Sequence, residues 1–183
     1  MFTQVEMEHI EHVKARIRQD VKTYMSERYI ALPWTSMYLS GGAICSHILS
    51  ERINDFDFYF KNDTDRQIAI DVLLRMYQDR IKEYDPQYNT GSIQSGKLIT
   101  DNAVTMIDGA QFITCQFGHP AEVKLSFDYL HCCPHYDIVS DTLYISKSQY
   151  NAIMHKKLVL NLNRTEPAPK FREDKFLKRG WTK

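Results

Sequence analysis

Apolar residues recur at three- and four-residue steps through residues 4 to 28 (Ile10, Val13, Ile17, Val21, Tyr24), which predicts a long amphipathic helix with one buried stripe. Leu32-Pro33-Trp34 breaks that pattern. A short apolar run from Met37 to Leu39 then reads as a strand, Gly41-Gly42 as a tight turn, Ala43 to Ser50 as a helix, and Phe56 to Phe60 as a second strand. Because side chains alternate along a strand, Asp55, Asp57 and Tyr59 share one face, while Phe56, Phe58 and Phe60 share the other and are buried. Asp63-Thr64 with Gln67 predicts a capping box for a helix running to Ile81, with Ile70, Leu73, Leu74, Tyr77 and Ile81 on its inner face.

Polarity rises in residues 85 to 100, where Gly91 and Gly96 predict a hairpin or loop, with Ser95, Gly96 and Lys97 as surface residues or phosphate contacts. Strands follow at Ala103 to Ile107 and Gln111 to Gln116, joined by the hairpin signal Asp108-Gly109. A short helix from Pro120 to Ser126 delivers Phe127-Asp128 to another strand. Thr142 to Ile145 is a further strand, Ser148 to Leu160 a helix, residues 161–169 a bend, and Lys170 to Arg179 a last helix ended by Gly180. The alternation predicts an α/β (α+β) fold, a mixed, twisted sheet of about five strands with helices mostly on one face.

Composition narrows this further. A chain of 183 residues with 43% hydrophobic and 12% aromatic residues can bury one substantial core, so residues 1–183 are expected to form one domain. Residues 1–35 would pack on that core as an N-terminal helix, and residues 168–183 would form a basic C-terminal helix. Formal net charge is zero, yet residues 170–183 hold six basic and two acidic residues. A basic tail on an acidic body suits a polyanion held near a carboxylate metal site, or is an ordinary charged helix. The charged N-terminus and the lack of an apolar run near the ~18 residues a span needs predict a cytoplasmic protein without membrane attachment. Cys45, Cys115, Cys132 and Cys133 lack a secreted-type spacing and are expected as reduced thiols.

The chemistry concentrates in residues 37 to 60. Paired carboxylates at Asp55 and Asp57 repel one another unless a cation lies between them, and a hard divalent ion prefers such oxygen ligands. Glycines at Gly41-Gly42 let backbone approach a phosphate, and the N–H groups opening the next helix point at it. Alone, a Gly-Gly pair is commonly a turn and an Asp-x-Asp commonly a solvated face. Together, spaced by the twelve residues Ala43 to Asn54, they read as a phosphate cradle beside a metal-binding strand. His131, Cys132, Cys133 and His135 admit a zinc reading or a core reading. Pro134 in their midst, and no second Cys/His pair at finger-like spacing, favour the core.

Gly41-Gly42, twelve residues, then Asp55-x-Asp57 resembles the signature of the polymerase-beta nucleotidyltransferase superfamily. The spacing is most similar to the head domain of bacterial CCA-adding enzymes and poly(A) polymerases, where G-G-x-V-R-D-x-L-L-G precedes D-x-D. Ile44, Ile48 and Leu49 fill the apolar slots, and Cys45 and Ser46 stand where that family has Arg-Asp. Phe127 to Asp137 resembles the family's R-D-F-T-I-N-A-M-A-Y-D segment through Asp128, Tyr129, Tyr136 and Asp137. Phe171 to Trp181 looks like a shortened form of the basic helix that closes the head domain.

That resemblance implies a stand-alone head domain transferring a nucleoside monophosphate from a nucleoside triphosphate to an acceptor hydroxyl, with pyrophosphate released. It implies Mg²⁺ or Mn²⁺ at Asp55, Asp57 and a third acid, for which Asp128 is the candidate. Ser40, Gly41 and Gly42 would seat phosphates, and Arg172 and Lys175 would offset triphosphate charge. An RNA or tRNA 3′ end is the favoured acceptor, with a protein or small molecule as others, and the context is open to a toxin-like or phage-encoded one. The rival is a protein that keeps the fold as a nucleotide- or RNA-binding module without turnover.

Overall fold

The computed structural model describes residues 1–26, 29–81, 93–94, 97–100, 102–106, 108–164 and 168–183, with the backbone alone at 77–81, 93–94 and 97–99. Ser95 and Gly96, expected as surface residues or phosphate contacts, lie outside the described residues together with Ile107, as do the side chains of Lys97, Tyr77 and Ile81.

Among the described residues, eight strands form one mixed sheet: β1 (Met37–Ser40), β2 (Phe56–Phe60), β3 (Ile93–Gln94), β4 (Lys97–Ile99), β5 (Ala103–Thr105), β6 (Ala110–Phe117), β7 (His135–Asp137) and β8 (Thr142–Tyr144). Their order is β3-β4-β5-β6-β2-β1-β7-β8. All neighbours are antiparallel except β2 and β6, which run parallel with Asp57 opposite Gln111. The excess over the expected five comes from short strands at the two edges. The fold is thus mixed α/β, with helices α1 (Gln4–Ser26), α2 (Gly42–Leu49), α3 (Asp63–Ile81), α4 (Pro120–Val123), α5 (Lys147–Met154) and α6 (Lys170–Leu177).

Period-2 patterning of β2 sorts its side chains as expected. Phe56, Phe58 and Phe60 enter a cluster with Val13, Ile17 and Val21 of α1, Ala43, Ile44 and Ile48 of α2, Ala69 and Leu73 of α3, and Tyr150 and Ile153 of α5. Those four helices therefore cover one face of the sheet. Phe58 stacks on Phe112 at 5.6 Å and meets Trp34 edge-on at 5.2 Å. On the opposite face Tyr38, Tyr59 and Val123 form a smaller cluster, with Tyr38 and Tyr59 stacked at 5.5 Å.

Several boundaries move for local reasons. α3 is capped by Asn62, whose side chain accepts from the Asp65 N–H at 2.9 Å, in place of the expected Asp63-Thr64 box. α5 ends at Met154, well short of residue 160, where Lys156 turns left-handed at φ 47°. The strand expected at Asp128 is replaced by an isolated bridge between Tyr129 and Leu160 and a 3-10 turn at Leu130–Cys132; the strand itself begins only at His135. Gly109, at φ 88°, closes the β5–β6 hairpin. No described helix is long and apolar enough to cross a membrane.

Candidate active site

β1, the glycine turn and β2 meet at one point. Gly41 adopts φ 87° and ψ −142° as the N-cap of α2, a conformation that L side chains rarely adopt. Its absent Cβ matters twice, because a Cβ built there would lie 2.9 Å from Asp57 Oδ2. Gly42 opens α2 with nothing within 4 Å of its Cβ position, so the helix start is open on that side. The first N–H groups of a helix have no partner within it, and they face anions favourably.

Asp57 sits against this cradle in the middle of β2. Its Oδ1 is buried and, among the described residues, has no hydrogen-bond partner. Burial pushes its carboxyl up to about 7; the neighbouring Asp55 pushes the same way, and Lys175 and Arg172 oppose them. Asp55 stands exposed one residue before the strand, on the face that Asp57 shares. A buried carboxylate oxygen without a donor, next to a second carboxylate, is an environment that a cation would relieve. Mg²⁺ commonly takes one or two carboxylates and completes its shell with water and substrate phosphate oxygens, so these two residues fit it.

The remaining expected residues divide. The charges of Arg172 and Lys175 on α6 both favour the ionised form of Asp57. Ser40 does not offer its hydroxyl to a phosphate: it is 1% exposed, and Oγ donates to the Pro134 carbonyl at 2.8 Å, with the Cys132 carbonyl at 3.4 Å. Asp128 does not join the carboxylate pair either. It is 3% exposed, off the sheet, and ion-paired through Oδ1 to Arg164 and through Oδ2 to Arg172. Among the described residues no group of three His, Cys, Asp or Glu side chains is gathered to hold a metal. Of the expected set, Asp128 therefore faces two guanidiniums, while Asp55 and Asp57 share the β2 face.

Sequence reasoning missed what stands beside Asp57 on the neighbouring strand. The parallel register puts Gln111 there, with its Nε2 donating to Thr105 Oγ1 at 2.7 Å. Reading it required knowing that β2 pairs with β6, and no local signal carries that. Arg164 was also missed, because it lies in the segment read as a bend.

α6 is held by an aromatic seat. His131 stacks on Tyr129 at 5.6 Å, meets Phe176 edge-on at 4.5 Å and lies 4.0 Å from the Trp181 ring. Burial pushes His131 down to about 3, with Arg172 adding to the effect. Residues 130–132 form a 3-10 turn and the strand begins at His135, so His131, Cys133 and His135 do not line one strand face. Burial raises the Cys132 thiol to about 12 and that of Cys133 to about 11.

Comparison with known proteins returns one family and several distant structures. The chain is similar to the Thermotoga maritima CCA-adding enzyme complexed with tRNA (TM-score 0.43, 10% identity, 68% of this chain and 28% of that one). It is also similar to a tRNA nucleotidyltransferase complexed with a primer tRNA and an incoming ATP analog (0.42, 13%, 68% and 35%) and to a tRNA-processing enzyme (0.43, 15%, 68% and 33%). The chain spans about a third of the length of these structures or less, and likeness at this level carries no argument about activity. No curated protein matches. The family match is of another order: the profile described as Gabija anti-defense 2 family protein aligns with residues 10–156, most of the sequence, and the chain belongs to that family.

Proposed function

We propose that this protein is a metal-dependent nucleotidyltransferase that moves a nucleoside monophosphate from a nucleoside triphosphate to an acceptor hydroxyl. The observation that carries the reading is the buried carboxylate of Asp57, whose Oδ2 lies against Gly41, whose Oδ1 has no hydrogen-bond partner among the described residues, and which Asp55 flanks. In the reaction the acceptor oxygen bonds to the α-phosphorus, the bond between α-phosphorus and the bridging oxygen breaks, and pyrophosphate leaves. Mg²⁺ or Mn²⁺, when bound, supplies charge neutralisation and lowers the acceptor hydroxyl's pKa.

The chain's own residues do the rest. Asp55 and Asp57 hold the cation. Gly41 and Gly42 bring backbone N–H groups to the phosphates, Gly41 leaving room that a side chain would take from Asp57. Arg172 and Lys175 offset the triphosphate's charge, which α6 delivers from a docked helix rather than a free tail. An RNA 3′ end is the favoured acceptor on the strength of the motif resemblance and the basic α6. The family description concerns countering Gabija defence, so the acceptor is sought in that setting, a phage protein acting in a host cytoplasm.

A second reading, a nucleotide-binding module without turnover, draws on two observations: Asp128 is tied to arginines, and Gln111, a neutral residue, neighbours Asp57. One experiment separates the two. Incubation with Mg²⁺, each triphosphate labelled at the α-phosphate, and either total RNA or a lysate of Gabija-carrying cells should label one macromolecular fraction, and Asp57→Ala should abolish the label. Melting-temperature shifts by triphosphate that need Mg²⁺, with no label in any fraction, would support the binding module instead.

A further inference from the structure

We propose that Asp128 is a positioning residue for Arg172, holding its guanidinium where the triphosphate's phosphate chain arrives, and that it does not ligate the metal. This rests on the nucleotidyltransferase reading and assigns a role that the motif resemblance gave differently. Asp128 is 3% exposed, so its charge has to be met inside the protein, and it meets two guanidiniums. Its backbone is fixed as well. The Asp128 carbonyl accepts from the Asn161 N–H at 2.9 Å, while Asn161 Nδ2 donates to the Lys124 and Phe127 carbonyls at 2.8 and 3.0 Å. Asn161 itself is 5% exposed. The carboxylate is therefore presented from a braced turn.

Arg172 differs. Its side chain is 41% exposed and sits on α6, a helix with no buried residue of its own. A long side chain in that position samples many rotamers, and ordering it on a ligand costs affinity unless something has ordered it first. The ion pair through Nε to Asp128 supplies that order. Arg172, together with Lys175, also favours the ionised form of Asp57 against burial and Asp55, so its charge is felt at the carboxylate pair. Asp128 thus reaches the reacting centre through the guanidinium. A metal ligand would act on it directly.

The two roles separate in titrations of the full chain with Mg²⁺ and a non-hydrolysable α,β-methylene ATP, and separately with Mn²⁺ alone. Asp128→Asn and Arg172→Ala should each weaken triphosphate binding about 10-fold or more. The double variant should bind no more weakly than Arg172→Ala, and Mn²⁺ affinity in Asp128→Asn should equal wild type. A fall in Mn²⁺ affinity, or a loss that adds to that of Arg172→Ala, would overturn the proposal. Should Asp128→Asn not fold, Asp128→Glu keeps the charge but displaces the guanidinium by a methylene. It should weaken triphosphate and spare Mn²⁺, and unchanged triphosphate affinity would count against the proposal. A wild type that binds no triphosphate overturns the nucleotidyltransferase reading together with this one; a wild type that binds, with variants equal to it, overturns this one alone.

Discussion

The two faces of β2 differ in what they are built for, although they alternate residue by residue. Phe56, Phe58 and Phe60 lie in the main core beneath four helices. Asp57 on the reverse is buried next to a second carboxylate and, among the described residues, lacks a donor for Oδ1. A folded chain tolerates such a group only when the surrounding structure is stable enough to impose it. The aromatic face supplies that stability, and the acidic face spends part of it on a site for a cation and an anion.

The largest effect is expected on the aromatic face. Phe58→Ala should lower unfolding free energy by about 3–5 kcal/mol, as other buried aromatic truncations do, measured by urea denaturation. Asp57→Ala, one residue away, should leave the melting temperature equal or higher and abolish nucleotide transfer; a loss of stability like that of Phe58→Ala would mean that Asp57 is structural.

Next in size is Gly41→Ala. It combines a left-handed φ of 87° with a Cβ 2.9 Å from Asp57 Oδ2, so a destabilisation of roughly 1–3 kcal/mol is expected, with a loss of activity larger than stability alone explains. Full activity with an unchanged melting temperature would show that the cradle is not as tight as drawn.

The aromatic seat of α6 sharpens the comparison through pH. His131 is 2% exposed, and its folded-state pKa of about 3 lies below the ordinary 6.5. Between those values the unfolded chain binds the extra proton, so stability is complete above about pH 6.5 and is lost as pH falls towards 3. The slope is up to ~1.4 kcal/mol per pH unit. His131→Phe should flatten the melting-temperature profile between pH 6.5 and 4, though His135, lowered to about 4, keeps part of the slope. An unaltered profile in His131→Phe would remove the histidine from that linkage.

The smallest expected effect is the screened one. Arg172→Ala with Lys175→Ala should weaken Mg²⁺–triphosphate binding more at 50 mM than at 500 mM salt, because partly exposed charges lose their reach as the Debye length shrinks. Equal affinities for wild type and double variant in calorimetric titration at both salts would return α6 to a solvated face.

How much of this was legible follows from distance along the chain. The strand, glycine turn, helix and acidic strand of residues 37–60 were readable because every contact in that unit is local, and period 2 alone sorts Asp57 from Phe58. The ion pairs of Asp128 were not readable because its partners Arg164 and Arg172 are far away in sequence, and ion pairing across that interval leaves no periodic trace. Ser40 was read from its place beside the glycines. The turn of its hydroxyl towards Pro134 depends on β7 lying against β1, which only the tertiary fold reveals. Gln111 needed the parallel register of β2 and β6.

That parallel pairing also sets an order of assembly. β1 and β2 are joined through α2 alone, so the glycine turn and Asp57 can come together over a short closed loop. β6 reaches β2 only after α3, β3, β4 and β5 have intervened, and parallel contacts over such intervals incur their loop-closure entropy before any hydrogen bond repays it. The cradle should therefore be present in an early folding species while its Gln111 wall is still missing. Pulse-labelled hydrogen exchange should find β1 and β2 amides protected before those of β6.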